Sequence, residues 1–292
     1  MNTNRFAVAA FAIATLLLSS PNASMAAPAR SPAADNLPAD IKRSGTLVLG
    51  TSADVGLPYS SIQEGTTDHY IGFDHDLAAA IATALGLTLE VSNMSFDSLI
   101  PSLQANRVNI VISGMFDSVE REKKVDFVDH AIGGSAMLAS TKTAGIINVK
   151  DDLCGRKVSA LRGAVESKAA QDISNACEAA HKRPLDIQIF PDTKSQLPAL
   201  VSGRTEVIFG DLGYLGILAS KQPKQFRLVG EPFNSGPTGI AIVKGSALGP
   251  VIINVLDELI ADGTYEKLAQ EYGIPPSARI TKAVLNGAGA AK

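Results

Sequence analysis

One construction occurs twice in this chain. Ser98-Leu-Ile-Pro101-Ser-Leu103-Gln-Ala-Asn-Arg107 matches Ser195-Gln-Leu-Pro198-Ala-Leu200-Val-Ser-Gly-Arg204, and each stretch runs into an apolar strand. Chance likeness between two helix-turn-strand units is one explanation, because proline in a first helical turn is not rare. Two lobes of like build is the other, and the flanking periodicities favour it. Residues 46–49 read as a buried strand. Leu77, Ile81 and Leu85 stack at four-residue spacing in a helix over 76–85, with Gly86 as its stop. Residues 89–91 read as a strand, and Phe96, Leu99, Ile100 and Leu103 fall at the spacing of an amphipathic helix before the β-branched strand 108–112. The second half repeats this with strands at 157–160, 186–190 and 206–209 and helices at 165–177 and 194–201. The grammar predicts an α/β fold of two open sheets flanked by helices.

Such sheets bind ligands beyond the carboxyl ends of their strands. The matched strands end at Ser113-Gly114-Met115 and at Gly210-Asp211-Leu212, so facing lobes bring these ends to one cleft. Asp211 either N-caps the segment after it or attracts a cationic group. Ser118 has the look of an N-cap, which puts Arg121 in a first helical turn, where a cation sits badly with the helix dipole. Arg121 is then either an ordinary surface arginine or a fork for a small carboxylate.

With 26 basic against 29 acidic groups, a net charge of −3 and no Lys/Arg block, the chain lacks the surplus that binds nucleic acid. Arg5, the apolar run 6–18 and Ser24-Met25-Ala26 make residues 1–26 a secretory signal peptide. The apolar run is too short to span a bilayer, and no cysteine near the cleavage site offers a lipid anchor. A soluble periplasmic protein follows, with a flexible lead-in at 27–39. In an oxidising compartment Cys154 and Cys177, the two cysteines, read as a disulfide. The four histidines show no ligand spacing, so neither a metal nor a cofactor is expected.

Gly72-Phe73-Asp74-x-Asp76-Leu77, Phe96-Asp97-x-Leu99-Ile100-Pro101-x-Leu103, Gly114-Met115 to Glu120-Arg121 and Val125-Asp126-Phe127 together resemble the extracellular solute-binding protein family 3, the polar amino-acid receptors of ABC importers. Leu153-Cys154-Gly155-x-Lys157-Val158, Gly203-Arg204 to Asp211, Gly239-Ile240-Ala241 and Asp262-Gly263-Thr264-Tyr265 extend the resemblance over most of the chain. It implies a two-lobed type II periplasmic-binding fold with a cleft between lobes. Lobe 1 would comprise 40–133 and 237–276 and lobe 2 would comprise 134–236, with crossings near 133–136 and 233–238 and a tail at 277–292 that is disordered from residue 283.

By the same resemblance, Arg121 matches the clamp of a ligand α-carboxylate, Asp211 the acceptor of its α-ammonium, and Gly114 a backbone contact to that ammonium. Phe96 matches one wall of an aromatic clamp, and Val165 with Glu166 the loop whose amides meet the carboxylate. Phe116 and Val165 depart from the pattern, which has hydroxyl side chains at both places. The aromatic opposing Phe96 is replaced near Val55-Gly56, with Tyr59 close by. Ser118 joins the expected lining. Asp54 and Asp117 either meet a cationic tail of the ligand or cap turns. The expected function is a monomeric, non-enzymatic receptor that captures an amino acid or related zwitterion by lobe closure and delivers it to an ABC permease. The alternative is an enzyme on the same scaffold, resembling cyclohexadienyl dehydratase, with Glu166 or Asp211 as its acid.

Overall fold

The computed structural model describes residues 30–290, apart from 144, 146 and 149; the predicted signal peptide lies outside them. The first group of elements comprises α1 (Ala39–Ser44), β1 (Thr46–Thr51), β2 (Ser61–Ile62), β3 (Tyr70–Ile71), α2 (Phe73–Leu85), β4 (Thr88–Asn93), α3 (Leu99–Gln104), β5 (Ile110–Val111) and α4 (Val119–Glu122). A long strand, β6 (Val125–Ser140), leads to β7 (Lys157–Leu161), α5 (Val165–Ala179), β8 (Asp186–Phe190), α6 (Thr193–Val201), β9 (Val207–Asp211) and α7 (Leu212–Lys221). A second long strand, β10 (Phe226–Val243), returns to α8 (Leu248–Ala261), α9 (Thr264–Glu271), β11 (Arg279–Leu285) and α10 (Gly287–Ala290).

The strand order β4-β1-β5-β10-β6-β9-β7-β8 sets two parallel triplets on either side of the antiparallel pair β6 and β10. The chain passes between the two halves twice, in these two strands. Their register slips between Val229 and Phe233, between Phe233 and Gly236, and between Thr238 and Gly239. Such bulges bend a ribbon locally, and here they fall where it leaves one half for the other.

Each half has its own apolar centre. Leu77, Ile81 and Leu85 bury the inner face of α2 against Leu47 and Leu49 of β1 and Val255 and Leu256 of α8. The predicted spacing is thus the buried stripe, and truncating a residue such as Ile81 to alanine costs about 2 to 5 kcal/mol. In the other half Ile173 and Cys177 of α5 pack on Val158 and Ala160 of β7 and on Val207 and Phe209 of β9. The disulfide Cys154–Cys177 joins residues 23 apart, fixing the chain before β7 to the last turns of α5.

Two expectations are corrected. The lead-in 27–39 is not flexible over its described part: Ser31 caps a 3-10 turn (Pro32–Asn36), and Ala33, Ala34 and Leu37 are buried in the first core. The tail is also ordered over its described part. β11 pairs with β6, Ala283 is buried, and the amides of Gly287, Ala288 and Gly289 donate to the carboxylates of Asp129, Asp117 and Glu122. Asp117 therefore holds the tail. Burial pushes the Asp129 and Asp117 carboxyls up; the Asp117 and Glu122 charges raise Asp129 further, and the Glu122 charge raises Asp117, which a hydrogen bond with Asp129 partly offsets.

A carboxyl raised above its unfolded value keeps a proton that the unfolded chain releases, so this pair stabilises most in acid and its contribution is lost as pH rises toward the folded values. Asp129→Asn removes the Asp129 part of that dependence: relative to the unsubstituted protein, the variant's melting temperature should improve from pH 5 to pH 8, and an unchanged difference would refute a raised Asp129 carboxyl.

Candidate functional site

Every parallel strand of both halves delivers side chains to one enclosed cavity at its carboxyl end, the placement expected of open sheets. From the first half come Phe96 after β4, Gly114 and Phe116 after β5, Arg121 from α4, and Tyr59 from the loop after β1. From the second come Val165 and Glu166 in the first turn of α5, Thr193 and Gln196 from α6, Asp211 at the end of β9, and Tyr214 from α7.

Local chemistry aims these groups. The amides of Phe73 and Asp74, at the start of α2, donate to the carbonyls of Pro58 and Tyr59 and so hold the Tyr59 loop against the helix. Only glycine fits at position 72, since its φ is +129° and an added Cβ would lie 2.2 Å from the Tyr59 carbonyl oxygen. Asp74 then accepts from the Gly114 amide at 2.5 Å and pairs with buried His130 at 3.0 Å. The Tyr59 hydroxyl is carried to the opposite half, where it donates to Asp211 Oδ2 at 3.1 Å.

Asp211 does both things the sequence allowed. Its Oδ1 caps α7 by accepting the Tyr214 amide at 2.9 Å, and its carboxylate lines the cavity. Burial pushes it up to about 7, and the neighbouring Glu166 charge adds to the rise, against the hydrogen bonds it accepts. Glu166 is 5% exposed and accepts the Ser135 hydroxyl at 2.6 Å. Ser135 on β6 lies directly opposite Asp211 on β9, so the two carboxyls meet on either side of one serine. Burial raises Glu166 as well, partly offset by that hydroxyl and by the charge of Arg121.

Arg121 answers its unfavourable position in the first turn of α4 by reaching away from the helix. Nη1 donates to the Phe116 carbonyl at 2.8 Å, Nη2 to the Gly163 carbonyl of the other half at 3.0 Å, and the guanidinium lies 5.6 Å from the Phe96 ring centre. Burial lowers it to about 10, which leaves it charged at neutral pH. Two of its five donors are engaged by carbonyls, so the remainder of the fork is free for a carboxylate.

Two expected contacts are corrected. Asp54 does not line the cavity; it pairs with Lys194 across the rim at 3.0 Å, and its carbonyl accepts the Thr193 hydroxyl. That ion pair is solvent-exposed and contributes about 0 to 1 kcal/mol. Ser118 is the N-cap of α4 and faces a separate groove with Asp117 and Ala288. The aromatic absent near Val55-Gly56 is supplied by the other half, since an added Cβ at Gly56 would lie 2.7 Å from the Tyr214 ring. Tyr214 and Gln196 were not identified as site residues from sequence. Gln196 is 2% exposed, lines the cavity, and its Nε2 has no partner. A polar residue amid the apolar positions of α6 is the only signal it gives.

Closure leaves little slack at Gly163, whose φ is +77° and whose added Cβ would lie 3.0 Å from Asp97 Cβ in the other half. Gly163→Ala should therefore weaken ligand affinity by about tenfold or more, since a clash confined to the closed form subtracts directly from closure. Titration calorimetry of the variant checks this; unchanged affinity would show that the lobes do not approach here on binding.

The sequence profile of the bacterial extracellular solute-binding proteins, family 3, matches residues 47–275. The chain is 27% identical to an arginine-binding protein of Corynebacterium glutamicum over 82% of this chain and 77% of that one. It is also 27% identical to an L-cystine-binding protein of Escherichia coli, over 80% of this chain and 84% of that one. In structure it is similar to an ancestral arginine-binding protein bound to arginine, with a TM-score of 0.70, 32% identity, and coverage of 78% of this chain and 98% of that one. It is likewise similar to an ancestral amino-acid-binding protein described as a precursor of cyclohexadienyl dehydratase, with a TM-score of 0.71, 32% identity, and coverage of 80% and 97%. A profile matched through both sheets and both long strands, around a cavity built from both halves, makes this chain a member of the bacterial extracellular solute-binding proteins, family 3.

Proposed function

We propose that this protein captures an amino acid between its two lobes and presents the closed form to the membrane permease of an ABC importer. The observation that carries this is the convergence of Arg121 from one half and Asp211 from the other on a single enclosed cavity. An α-carboxylate takes the open donors of Arg121, and an α-ammonium takes Asp211, whose Tyr59 bond already spans the cleft. A ligand shifts the lobes toward closure only by binding the closed form more tightly, and one molecule held by both halves does so. Charge-assisted hydrogen bonds contribute about 1.5 to 3 kcal/mol each, so a few of them with apolar contacts reach roughly −8 kcal/mol, which is micromolar affinity.

The division at the slips in β10, a lobe 1 of 40–133 and 237–276 and a lobe 2 of 134–236, belongs to this reading, as does a monomer acting in the periplasm after removal of residues 1–26. Relatives that bind arginine, cystine or glutamine by name support an amino-acid ligand. Among the described residues no helix is long and apolar enough to cross a membrane.

Amino acids should raise the melting temperature of the purified protein, since stabilisation follows RT ln(1 + [L]/Kd). Arg121→Ala should abolish that shift while leaving the unliganded melt nearly unchanged; retained binding would refute the clamp. The pH dependence has a definite sign. Asp211 meets Tyr59 from the first half and the Tyr214 amide and Glu166 within its own. With its carboxyl at about 7 before binding, an ammonium must displace a proton in acid. Affinity should fall by roughly thirtyfold from pH 8 to pH 5.5.

A second reading has a specific observation behind it: Glu166 and Asp211 are cleft carboxyls raised by burial, which is what an acid catalyst requires. Turnover of prephenate or arogenate, lost in Glu166→Gln, would establish it; our reading expects none.

A further inference from the structure

The cavity wall at Gly114 and Tyr59 is held from behind by two side chains that do not reach the cavity. Asp74 and His130 are fully buried and stand outside its lining. Asp74 lies in the first turn of α2, where a carboxylate suits the helix dipole. Its own amide donates to the Tyr59 carbonyl at 3.0 Å, and its Oδ2 accepts the Gly114 amide. The two residues it holds also pack on each other, since a Cβ added at Gly114 would lie 3.1 Å from the Tyr59 ring. Gly114 has a φ of +55°, and the Tyr59 hydroxyl goes on to Asp211 of the other half. One carboxylate therefore sets both the turn at the end of β5 and the aromatic that crosses the cleft.

His130 decides where that carboxylate points. In β6, Asp129 pairs with Gly239 and Ala131 with Thr238, so His130 is the residue left over at the register slip. A bulge of this kind re-aims a side chain, and here the ring turns onto α2, stacked on Phe73 at 5.9 Å, with the His130 carbonyl held by the Tyr265 hydroxyl at 2.8 Å. Nε2 meets Asp74 Oδ1 at 3.0 Å, and Nδ1 has no partner among the described residues. A ring with its hydrogen on Nε2 donates to the carboxylate and leaves only a lone pair unmet at Nδ1. The other tautomer sets a lone pair against the carboxylate and buries an N–H without an acceptor. The charge of Asp74 is felt at the wall: burial raises the Tyr59 hydroxyl well above its usual range, and the charges of Asp211 and Asp74 raise it further.

We infer that His130 is a positioning residue of this cavity: by donating to Asp74 it fixes the Gly114 turn and the Tyr59 ring at the places where a ligand meets them. Its effect on amino-acid affinity rests on the reading above; its effect on Gly114 does not. His130 touches no ligand itself. It belongs to one of the two strands that pass between the halves, so the residue that sets this wall is built into the crossing.

The test reads the full chain by nuclear magnetic resonance and titration calorimetry. In the ligand-free wild type, long-range proton–nitrogen spectra should show the His130 hydrogen on Nε2, and the Gly114 amide proton should be shifted downfield by its bond to a carboxylate. A hydrogen on Nδ1 alone overturns the inference without any variant. His130→Leu, which keeps the bulk and removes the donor, should move the Gly114 amide signal; His130→Gln, whose amide donates from nearly the same place, should return it. Should His130→Leu fail to fold, His130→Asn, whose shorter amide stops short of Asp74, carries the same readouts. L-arginine and L-glutamine are the probes: His130→Leu should weaken each one that the wild type binds by about tenfold or more, and His130→Gln should recover most of that loss. A purely structural histidine would lower the melting temperature of both variants and leave the Gly114 signal and the affinities unmoved, which overturns the inference. If neither probe binds the wild type, the amino-acid reading falls, and the Gly114 amide alone decides the positioning.

Discussion

A guanidinium on α4 and a carboxyl at the end of β9 are each buried against the opposite half of the molecule, and each reaches across it: Arg121 to the Gly163 carbonyl, Asp211 to the Tyr59 hydroxyl. These two bonds make the closed arrangement electrostatically specific. The exposed Lys194–Asp54 pair at the rim is screened by water and decides little. The buried bonds engage groups whose hydration has already been lost, so parting the two halves exchanges these protein partners for solvent at side chains that line the cavity. In the proposed function, closure and recognition are therefore one event.

The rest of the fold serves to bring these groups together without fixing them. The chain crosses between halves only in β6 and β10, whose register slips three times near the crossing, while each half is held rigid by its own apolar core. The Cys154–Cys177 bridge lies wholly within the second half and stiffens it without tying it to the first. The segment beyond residue 275, where the family profile ends, adds a strand to β6 and then sets three backbone amides on Asp129, Asp117 and Glu122. Asp117 also receives the chain next to the crossing, since its amide donates to the Pro237 carbonyl. The tail thus buttresses the first half beside the crossing strand.

The fold was legible because its signals are local. Four-residue spacing in α2 and β-branched runs in β5 and β9 report which face is buried, and a repeated segment reports two halves. Strand ends pointed to Gly114 and Asp211, the Ser118 cap to Arg121, and the family resemblance to Phe96 and Glu166, and all five line the cavity. What escaped was whatever depends on contacts distant in sequence. A Gly/Ala-rich tail carries no periodicity; its order comes from acids more than 150 residues away. Gln196 and Tyr214 sit on helices whose inward faces are set by closure, and the charge of Asp54 is claimed by Lys194 from the other half. Such pairings are decided by the approach of two lobes, which no window of one lobe records.

The departures from the family pattern acquire a physical sense from the same geometry. Phe116 and Val165 stand where the resembled pattern has hydroxyl side chains, and both positions line the cavity. Phe116 contributes its carbonyl to Arg121 instead, and its ring packs against the crossing strand, where a Cβ at Gly133 would lie 3.1 Å from it. The hydroxyl in this cavity's polar network is now that of Ser135, on the crossing strand itself, and it serves Glu166. The polar lining thus rests on the carboxyls of Asp211 and Glu166 in place of dispersed hydroxyls. Burying two carboxyls side by side makes the cavity titratable, with Asp211 pushed up to about 7 by burial and by the Glu166 charge.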